Sequence, residues 1–205
     1  MNRIITIGRE FGSGGRELGK RIAEALNIAY YDKEILTEIA RKTELAYDYV
    51  QKIIEKKPIA YYPITIGNSF SNTYYSSHEI NTSIYTEQCN VIRELAKKSD
   101  CVIVGRCADY ILSDLNPFRI FVYSDMPSKI KRCREKGELD NTLPDKKLAR
   151  KIKKIDKQRG QYYRFYTSNT WGDKYNYDIC INSDLYGVEK TADLICELVK
   201  SKSNV

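Results

Sequence analysis

Residues 1–20 read MNRIITIGREFGSGGRELGK, and the fold can be predicted outward from this stretch. A short apolar strand, 4–7, runs directly into the glycine-rich turn 12–15, and apolar residues then repeat at helical spacing from Leu18 to Leu26. Glycines allow consecutive backbone N–H groups to face one point, and the new helix adds the positive end of its dipole. The stretch therefore predicts a strand, a loop that binds a phosphate group, and a helix.

Two registers of this loop compete. In the usual phosphate loop, G-x-x-x-x-G-K-[ST], the lysine reaches the outer phosphates and the hydroxyl holds magnesium. A register that begins at Gly14 would use Lys20 as the lysine, but the helical pattern places Lys20 one turn inside the helix. We therefore prefer the register that begins directly after Gly8. In it, Gly15 occupies the lysine position, and we take Glu17, two residues further on, as the counterpart of the hydroxyl.

A loop in this register keeps its glycines and lacks its usual cation. The predicted phosphate-binding residues are Gly12, Ser13, Gly14, Gly15 and Arg9. Arg16, Arg9 or Lys20 could replace the missing lysine, and Ser13 is the nearest hydroxyl. The alternative is that the glycines form only a tight turn between a strand and a helix.

The composition predicts one globular domain. At 205 residues and 42% hydrophobic residues, the chain is long enough for one well-buried core. Its six cysteines show no C-x-x-C spacing and are expected to be reduced thiols, and the only histidine, His78, excludes a histidine metal cluster and disfavours a Ser-His-Asp triad. Without a signal peptide or a long apolar run, we expect a cytoplasmic location and no membrane partner.

The formal charge of +7 is unevenly distributed. Residues 129–159 contain thirteen Lys or Arg against five Asp or Glu, a surplus of eight. Such a block could be a solvated helix face, a nucleic-acid patch or a clamp for polyphosphate. No interleaved aromatic platform or known nucleic-acid-binding motif accompanies it, so nucleic acid is not an expected partner.

Short apolar strands alternate with helices along the rest of the chain. The predicted strands are 4–7, 27–32, 101–104, 118–123 and 177–181. The predicted helices are 16–26, 33–43, 46–57, 85–98, 108–112 and 188–200, with a further basic helical region after the fourth strand. This order predicts an α/β fold with a mainly parallel sheet flanked by helices. The polar stretch 58–84 interrupts the order and is predicted to be an inserted mobile segment.

Each predicted strand is followed by polar or charged residues. Examples are Arg9, Asp32, Arg106 with Asp109, and Asp125. Because ligands bind beyond the carboxyl ends of the strands in such sheets, we expect these side chains to meet at one site.

With these residues in place, the sequence resembles the phosphate-loop nucleoside monophosphate kinases, most closely their cytidylate kinase-like branch, over nearly its whole length. The resemblance implies a phosphate loop at 12–15 and lid arginines Arg132 and Arg134 that close over the phosphates. The acceptor-binding residues that it implies are Asp32, Arg106, Asp109, Asp156 and Arg159. It also implies a single kinase-like domain over 1–205, with an inserted acceptor-binding segment at about 44–88 and a basic lid region at about 125–172.

The function that this resemblance implies is ATP-dependent phosphoryl transfer to a cytidylate-like nucleoside monophosphate or a similar small phosphate acceptor. Its catalytic residues would be Arg16, Arg106, Arg132 and Arg134, and its cofactors ATP and Mg²⁺, with Ser13 or Glu17 near the metal. Small nucleotides are the expected partners, and the oligomeric state is not predicted. The alternative is a nucleotide-binding module that has lost the catalytic lysine and acts as a sensor or scaffold.

Overall fold

The computed structural model of the chain describes residues 2–55 and 73–202. Within these residues five strands form one sheet: β1 Ile4–Arg9, β2 Ala29–Tyr31, β3 Cys101–Val104, β4 Phe118–Tyr123 and β5 Ile179–Asn182. Their order is β2-β3-β1-β4-β5, and every neighbouring pair is parallel. The predicted α/β class with a parallel sheet is confirmed.

The same residues form eight α-helices. They are α1 Gly15–Leu26, α2 Lys33–Thr43, α3 Tyr47–Glu55, α4 Thr73–Lys98, α5 Ala108–Ile111, α6 Met126–Lys136, α7 Asp145–Thr167 and α8 Gly187–Lys202. None of these helices is long and apolar enough to cross a bilayer. All six cysteines are unpaired thiols, as the absence of C-x-x-C spacing predicts.

Helices cover both faces of the sheet, so its strands are apolar on both sides. Ile5 and Ile7 face α1 and α8 in one buried cluster, whereas Ile4 and Ile103 face a second cluster that includes α2, α3, α4 and α5. Helices α6 and α7 pack on each other beyond the carboxyl ends of the strands, through Cys133, Leu148 and Ile152. The core thus fixes the sheet, and α6 and α7 lie above the edge where a ligand would bind.

Two element boundaries differ from those predicted in ways that concern the site. Strand β1 continues past Ile7, because Gly8 and Arg9 pair with Phe121 and Val122 of β4. Arg9 therefore belongs to the sheet and not to the loop.

The long helix α4 begins at Thr73, twelve residues before the predicted start at about Tyr85. Its first turns are rich in Ser, Thr and Asn and carry no regular apolar stripe, which hid the helix from a periodicity argument. The predicted inserted mobile segment 58–84 is thus helical over its last twelve residues, and its first part, up to 72, lies outside the described residues.

Candidate active site

The glycine-rich turn forms the loop between β1 and α1. Gly12 and Gly14 have φ angles of 72° and 80°, in the left-handed region that glycine adopts without steric cost. Ser13 closes the loop, because its amide and its hydroxyl both donate to the carbonyl of Glu10, at 3.4 and 2.9 Å. Helix α1 begins at Gly15, so Lys20 lies well inside the helix.

Arg9 lies beneath this loop at the end of β1, with only 13% of its side chain exposed. Its Nη2 is 3.7 Å from Oδ1 of Asp32, the one acid with which it forms an ion pair among the described residues. Burial lowers the pKa of Arg9 to about 9, and the nearby charges of Arg159, Arg106 and Arg16 act in the same direction, whereas Asp32 opposes them. Arg9 therefore lies in a positive field that a bound anion would relieve.

Arg16, in the first turn of α1, forms an ion pair with Asp32, the residue directly before α2. Asp32 is 3% exposed, and its Oδ2 lies 2.6 Å from Nε of Arg16. The Arg16 side chain is 48% exposed and also lies 3.8 Å from Glu138, beyond α6. Arg16 is thus the half-exposed partner of a buried carboxylate that it shares with Arg9.

Arg106 follows β3 in the left-handed conformation, with φ of 59°. Its carbonyl accepts a hydrogen bond from the buried Gln88 amide of α4, at 2.9 Å. Its Nε is buried and has no hydrogen-bond partner. Because an unsatisfied buried donor costs free energy, this atom is a ready contact for an anionic ligand.

Asp109 lies on α5 near Arg106 and is 7% exposed. The Tyr163 hydroxyl of α7 donates to Asp109 Oδ2 at 2.6 Å. Burial raises the pKa of Asp109, although the hydrogen bond from Tyr163 opposes the change. The neighbouring Tyr162 hydroxyl donates to Gln88 at 3.3 Å, so this wall of the site is hydrogen-bonded across three helices.

Asp156 of α7 holds the loop through its backbone. Its Oδ1 accepts from the amide of Phe11 at 2.6 Å, and its Oδ2 lies 3.2 Å from Nζ of Lys129. Lys129 is 4% exposed and also pairs with Glu10 at 2.6 Å. Burial raises the pKa of Asp156, and these polar contacts oppose the change. Asp156 thus contacts the loop backbone and a lysine, and it does not line either of the two cavities described below.

Arg159, one helical turn after Asp156, faces the same loop. Its Nη1 donates to the carbonyl of Arg9 at 3.3 Å, and its guanidinium lies 5.4 Å from the centre of the Phe11 ring. The guanidinium is therefore held beside β1, on the side that faces both cavities.

The two arginines predicted for a lid helix lie in different surroundings. Arg132 of α6 donates to the carbonyl of Gly12 at 2.7 Å and lies 3.9 Å from Asp184. Arg134 donates to the carbonyls of Asn141 and Leu143 and contacts Asp145, so it holds the connection between α6 and α7. The structure brings Arg132 to the phosphate loop and leaves Arg134 outside both cavities.

The oxygen atoms predicted to lie near magnesium are engaged elsewhere. Ser13 is 0% exposed, with its hydroxyl on Glu10, and the Glu17 carboxylate pairs with Lys136 and Arg21. The hydrogen bond from Lys136 lowers the pKa of Glu17. Among the described residues there is also no group of three or more His, Cys, Asp or Glu that could hold a metal ion. Ser13 and Glu17 therefore do not fit as ligands of Mg²⁺ in this arrangement.

Two adjoining cavities lie at the carboxyl edge of the sheet. The first, of about 400 Å³, lies between the glycine loop, Asp32 and Arg132. The second, of about 180 Å³, lies between the end of β3 and α7, and Arg106 and Asp109 line it. The residues that line both are Arg9, Phe11, Arg16 and Arg159. Three guanidinium groups thus form the wall between two spaces, an arrangement suited to a phosphate passed from one ligand to another.

The basic stretch 129–159 divides between two environments. Lys129, Arg132 and Arg159 contact the loop or β1, and Lys136 pairs with α1. The other basic residues of the stretch on α7 are exposed: Lys146, Lys147, Arg150, Lys151, Lys153, Lys154 and Lys157. The stretch is therefore partly a clamp around the loop and partly a solvated helix face.

The sequence argument missed Lys129 and Gln88. Lys129 lies one turn before Cys133 on the buried side of α6, a spacing that marked it as inward-facing. Gln88 likewise lies one turn after the buried Ile84 of α4. The position of Lys129 and Gln88 on the apolar faces of their helices was therefore the sequence signal that could have predicted their burial.

The sheet order, the glycine loop at the end of β1 and the helix after it together define the phosphate-loop kinase fold. Residues 4–185 match the sequence profile of the cytidylate kinase-like family. The chain belongs to this family, and the predicted resemblance is confirmed.

Named relatives agree with this assignment. A cytidylate kinase of Desulfurococcus amylolyticus is 24% identical over 97% of this chain and 93% of its own, and one of Staphylothermus marinus is 25% identical over 96% of both. A solved structure of an uncharacterised protein from Eubacterium ventriosum is 34% identical, covers 98% of this chain and 99% of its own, and has a TM-score of 0.69. A shikimate kinase from Bacteroides thetaiotaomicron, 15% identical with a TM-score of 0.59, covers 98% of this chain and 99% of its own and shares the fold. This membership supports phosphoryl transfer to a small acceptor.

Proposed function

We propose that the protein transfers the γ-phosphoryl group of ATP to a nucleoside monophosphate, cytidylate-like, or to a similar small phosphate acceptor. The observation that carries the proposal is the wall of Arg9, Arg16 and Arg159 shared by two adjoining cavities. One cavity lies beside the glycine loop, and the other lies beside Arg106, whose buried Nε lacks a partner. Two anionic ligands that meet at this wall would have their phosphates neutralised where they touch.

In this proposal the larger cavity takes the donor. The backbone of Gly12 and Gly14 and the first turn of α1 hold its phosphates, because free N–H groups and the helix dipole attract anions. Arg132 already contacts the loop through the carbonyl of Gly12, and it stands within reach of the same phosphates. Arg16 would exchange its contact with Asp32 for a phosphate oxygen.

The smaller cavity takes the acceptor phosphate. Arg106 binds it through the unsatisfied Nε, and Arg159 binds it from the side of α7. Asp109 lines this cavity and would contact an uncharged or donor group of the acceptor, whereas Asp32 lines only the larger cavity, where it pairs with Arg16.

The chemical step requires alignment and positive charge more than covalent participation by the protein. An oxygen of the acceptor phosphate forms a bond to the γ-phosphorus while the bond from that phosphorus to the β–γ bridging oxygen breaks. ADP leaves with the electron pair of the broken bond, and the acceptor carries one more phosphoryl group. The arginine wall offsets the charge that accumulates on the transferred oxygens. No step depends on a protein ligand to magnesium.

The test is a panel of acceptors with ATP and MgCl₂: nucleoside monophosphates, dephospho-coenzyme A and small alcohols. We expect ADP to form with one acceptor, and no turnover with any of them would refute the proposal. Arg106→Ala should raise the KM of that acceptor about 10- to 100-fold, the value of a charge-assisted hydrogen bond, with little change in ATP affinity. Arg150→Ala, an exposed arginine of α7, is the matched control. Equal losses of donor and acceptor binding would contradict the role given to Arg106.

A second candidate is a nucleotide-binding module that senses or scaffolds without transfer. It is favoured by Gly15 at the lysine position and by the engagement of Ser13 and Glu17. It predicts saturable binding of ATP or GTP in calorimetry together with no ADP formation. The acceptor panel separates the two candidates.

A further inference from the structure

We propose that Arg9 is the cation that replaces the missing lysine, and that position 15 is a glycine because the side chain of Arg9 fills the space there. This inference rests on the proposed function in one respect: the anion that Arg9 meets is taken to be the phosphate chain of a nucleotide.

The packing of Gly15 carries the first step. A Cβ at this position would lie 2.5 Å from Cβ and 3.0 Å from Cγ of Arg9. These atoms lie close to the backbone of a paired strand and cannot move away cheaply. Gly15 does not have a positive φ, unlike Gly12 and Gly14, so its backbone conformation does not require glycine. The Cβ and Cγ of Arg9 therefore leave no room for a side chain at position 15, and only a glycine at position 9 would remove both atoms.

The guanidinium end of the Arg9 side chain lies against a second glycine, Gly105. A Cβ at Gly105, which follows β3, would overlap Nη1 of Arg9. Arg9 therefore runs from the loop to the end of β3 in a passage bounded by Gly15 and Gly105. Its guanidinium reaches the boundary of both cavities, which is where a transferred phosphoryl group would lie.

The charges around this passage are unbalanced. Arg9 lies within the electrostatic reach of Arg159, Arg106 and Arg16, and a single carboxylate, Asp32, opposes them. That carboxylate is shared, since it lies 2.6 Å from Nε of Arg16 and 3.7 Å from Nη2 of Arg9. Buried positive charge costs free energy unless an anion balances it. The pKa of Arg9 is lowered for this reason, first by burial and then by the neighbouring arginines. A lysine at position 15 would have added one more cation to the cluster.

The position of Arg9 in the chain also differs from that of a loop lysine. It belongs to β1, pairs with Val122 of β4, and has a carbonyl that accepts from Arg159. A group held in this way is pre-organised and loses little conformational entropy when an anion arrives. Arg16, by contrast, is half exposed and free to change partners.

Anion binding tests the inference without reference to catalysis. Calorimetric titrations of inorganic tripolyphosphate and of ATP, each into the wild-type protein, Arg9→Gln and the control Arg150→Gln, give three affinities per ligand. We expect Arg9→Gln to weaken both ligands about 100-fold and Arg150→Gln to leave them within about 2-fold. Arg9→Gln keeps most of the side chain and removes a buried charge, so it is expected to fold. Affinity in Arg9→Gln equal to that of the wild type would overturn the inference.

A relocation of the charge gives the sharper result. Arg9→Gly and Gly15→Lys should each bind tripolyphosphate weakly, the first for lack of charge and the second because the new side chain collides with Arg9. The double variant Arg9→Gly/Gly15→Lys lacks both the Cβ and the Cγ that collide with a side chain at position 15, so it should recover at least about 10-fold over Arg9→Gly. Circular dichroism and urea unfolding verify that each variant is folded. A Gly15→Lys variant that binds as tightly as the wild type, or a folded double variant no better than Arg9→Gly, would refute the inference that the side chain at position 9 replaces a lysine at position 15.

The outcomes separate this inference from the proposed function. Transfer by the wild type with unchanged ATP affinity in Arg9→Gln would refute the inference and leave the kinase activity standing. Arg9-dependent binding of tripolyphosphate without transfer to any acceptor would support the inference and refute the activity. A wild-type protein that binds neither ligand would refute both.

Discussion

Asp32 is the counter-charge of the arginine cluster, and Asp32→Asn is therefore the most informative single change. The carboxylate is 3% exposed, lies 2.6 Å from Nε of Arg16 and 3.7 Å from Nη2 of Arg9, and its Oδ1 has no hydrogen-bond partner. Asparagine preserves the shape and removes the charge. The buried guanidinium of Arg9 then loses the one acid that it pairs with among the described residues, and Arg16 loses the nearer of its two acids.

The magnitude follows from the exposure of the two arginines. Arg16 is 48% exposed, so solvent screens its pair with Asp32 and the loss is about 0.5 kcal/mol. Arg9 is buried, and removal of one partner of a buried pair costs about 3–5 kcal/mol, here near the lower end because the 3.7 Å contact is long. We therefore expect Asp32→Asn to lower the free energy of unfolding by about 3 kcal/mol, or the melting temperature by about 6–12 °C.

Urea unfolding followed by circular dichroism measures this change, with Asp114→Asn as the matched control. Asp114 pairs with Arg93 at 2.9 Å, but both side chains are exposed and solvent screens the pair, so its loss should leave the free energy of unfolding almost unchanged. Tripolyphosphate should stabilise Asp32→Asn more than the wild type, because the anion replaces the missing carboxylate beside Arg9. An Asp32→Asn variant as stable as Asp114→Asn, with unchanged response to tripolyphosphate, would refute the view that the cluster is short of negative charge.

Three further outcomes are expected. Burial lowers the pKa of Arg9 in the folded protein to about 9, so ATP affinity should fall as the pH rises through about 9. Phosphates have already lost their last proton near pH 6 and do not contribute to this change. Calorimetry should show the fall in affinity for the wild type and not for Arg9→Gln. Burial raises the folded pKa of Asp109, so the wild type should gain stability relative to Asp109→Asn as the pH falls from 7 through that pKa, and parallel urea midpoints from pH 7 to 4 would contradict this. Lys129→Met leaves the carboxylates of Glu10 and Asp156 without their shared cation and should lower the free energy of unfolding in urea by about 3 kcal/mol. A decrease below about 1 kcal/mol would show that these two ion pairs do not stabilise the fold.

The architecture was predictable because its signals are local. The strands β3 and β4 are short runs of apolar residues with polar ends, and the predicted bounds of both agree with the structure. The glycine loop precedes a helix whose apolar residues repeat every three or four positions. Parallel topology then brings Arg9, Asp32 and Arg106 to one edge, since the carboxyl ends of parallel strands share a side.

The details of the site depend on contacts between residues far apart in the chain. The passage of Arg9 between Gly15 and Gly105 joins positions about ninety residues apart, and no local pattern describes it. Arg134 and Arg132 are two residues apart on a basic helix, and only packing shows that one faces the loop and the other the connection to α7. Proximity to the glycine loop pointed to Arg9 and Arg16, the family resemblance implied the other arginines, and tertiary contacts determine which of them can meet a phosphate.

The most direct test of phosphoryl transfer at an arginine wall is ³¹P nuclear magnetic resonance of the protein with ATP, MgCl₂ and each acceptor, CMP first. The account predicts that the γ resonance of ATP declines as ADP and a phosphorylated acceptor appear in equal amounts, and that Arg9→Gln and Arg106→Ala slow this conversion whereas Arg150→Ala does not. Bound ATP that remains intact with every acceptor would contradict it.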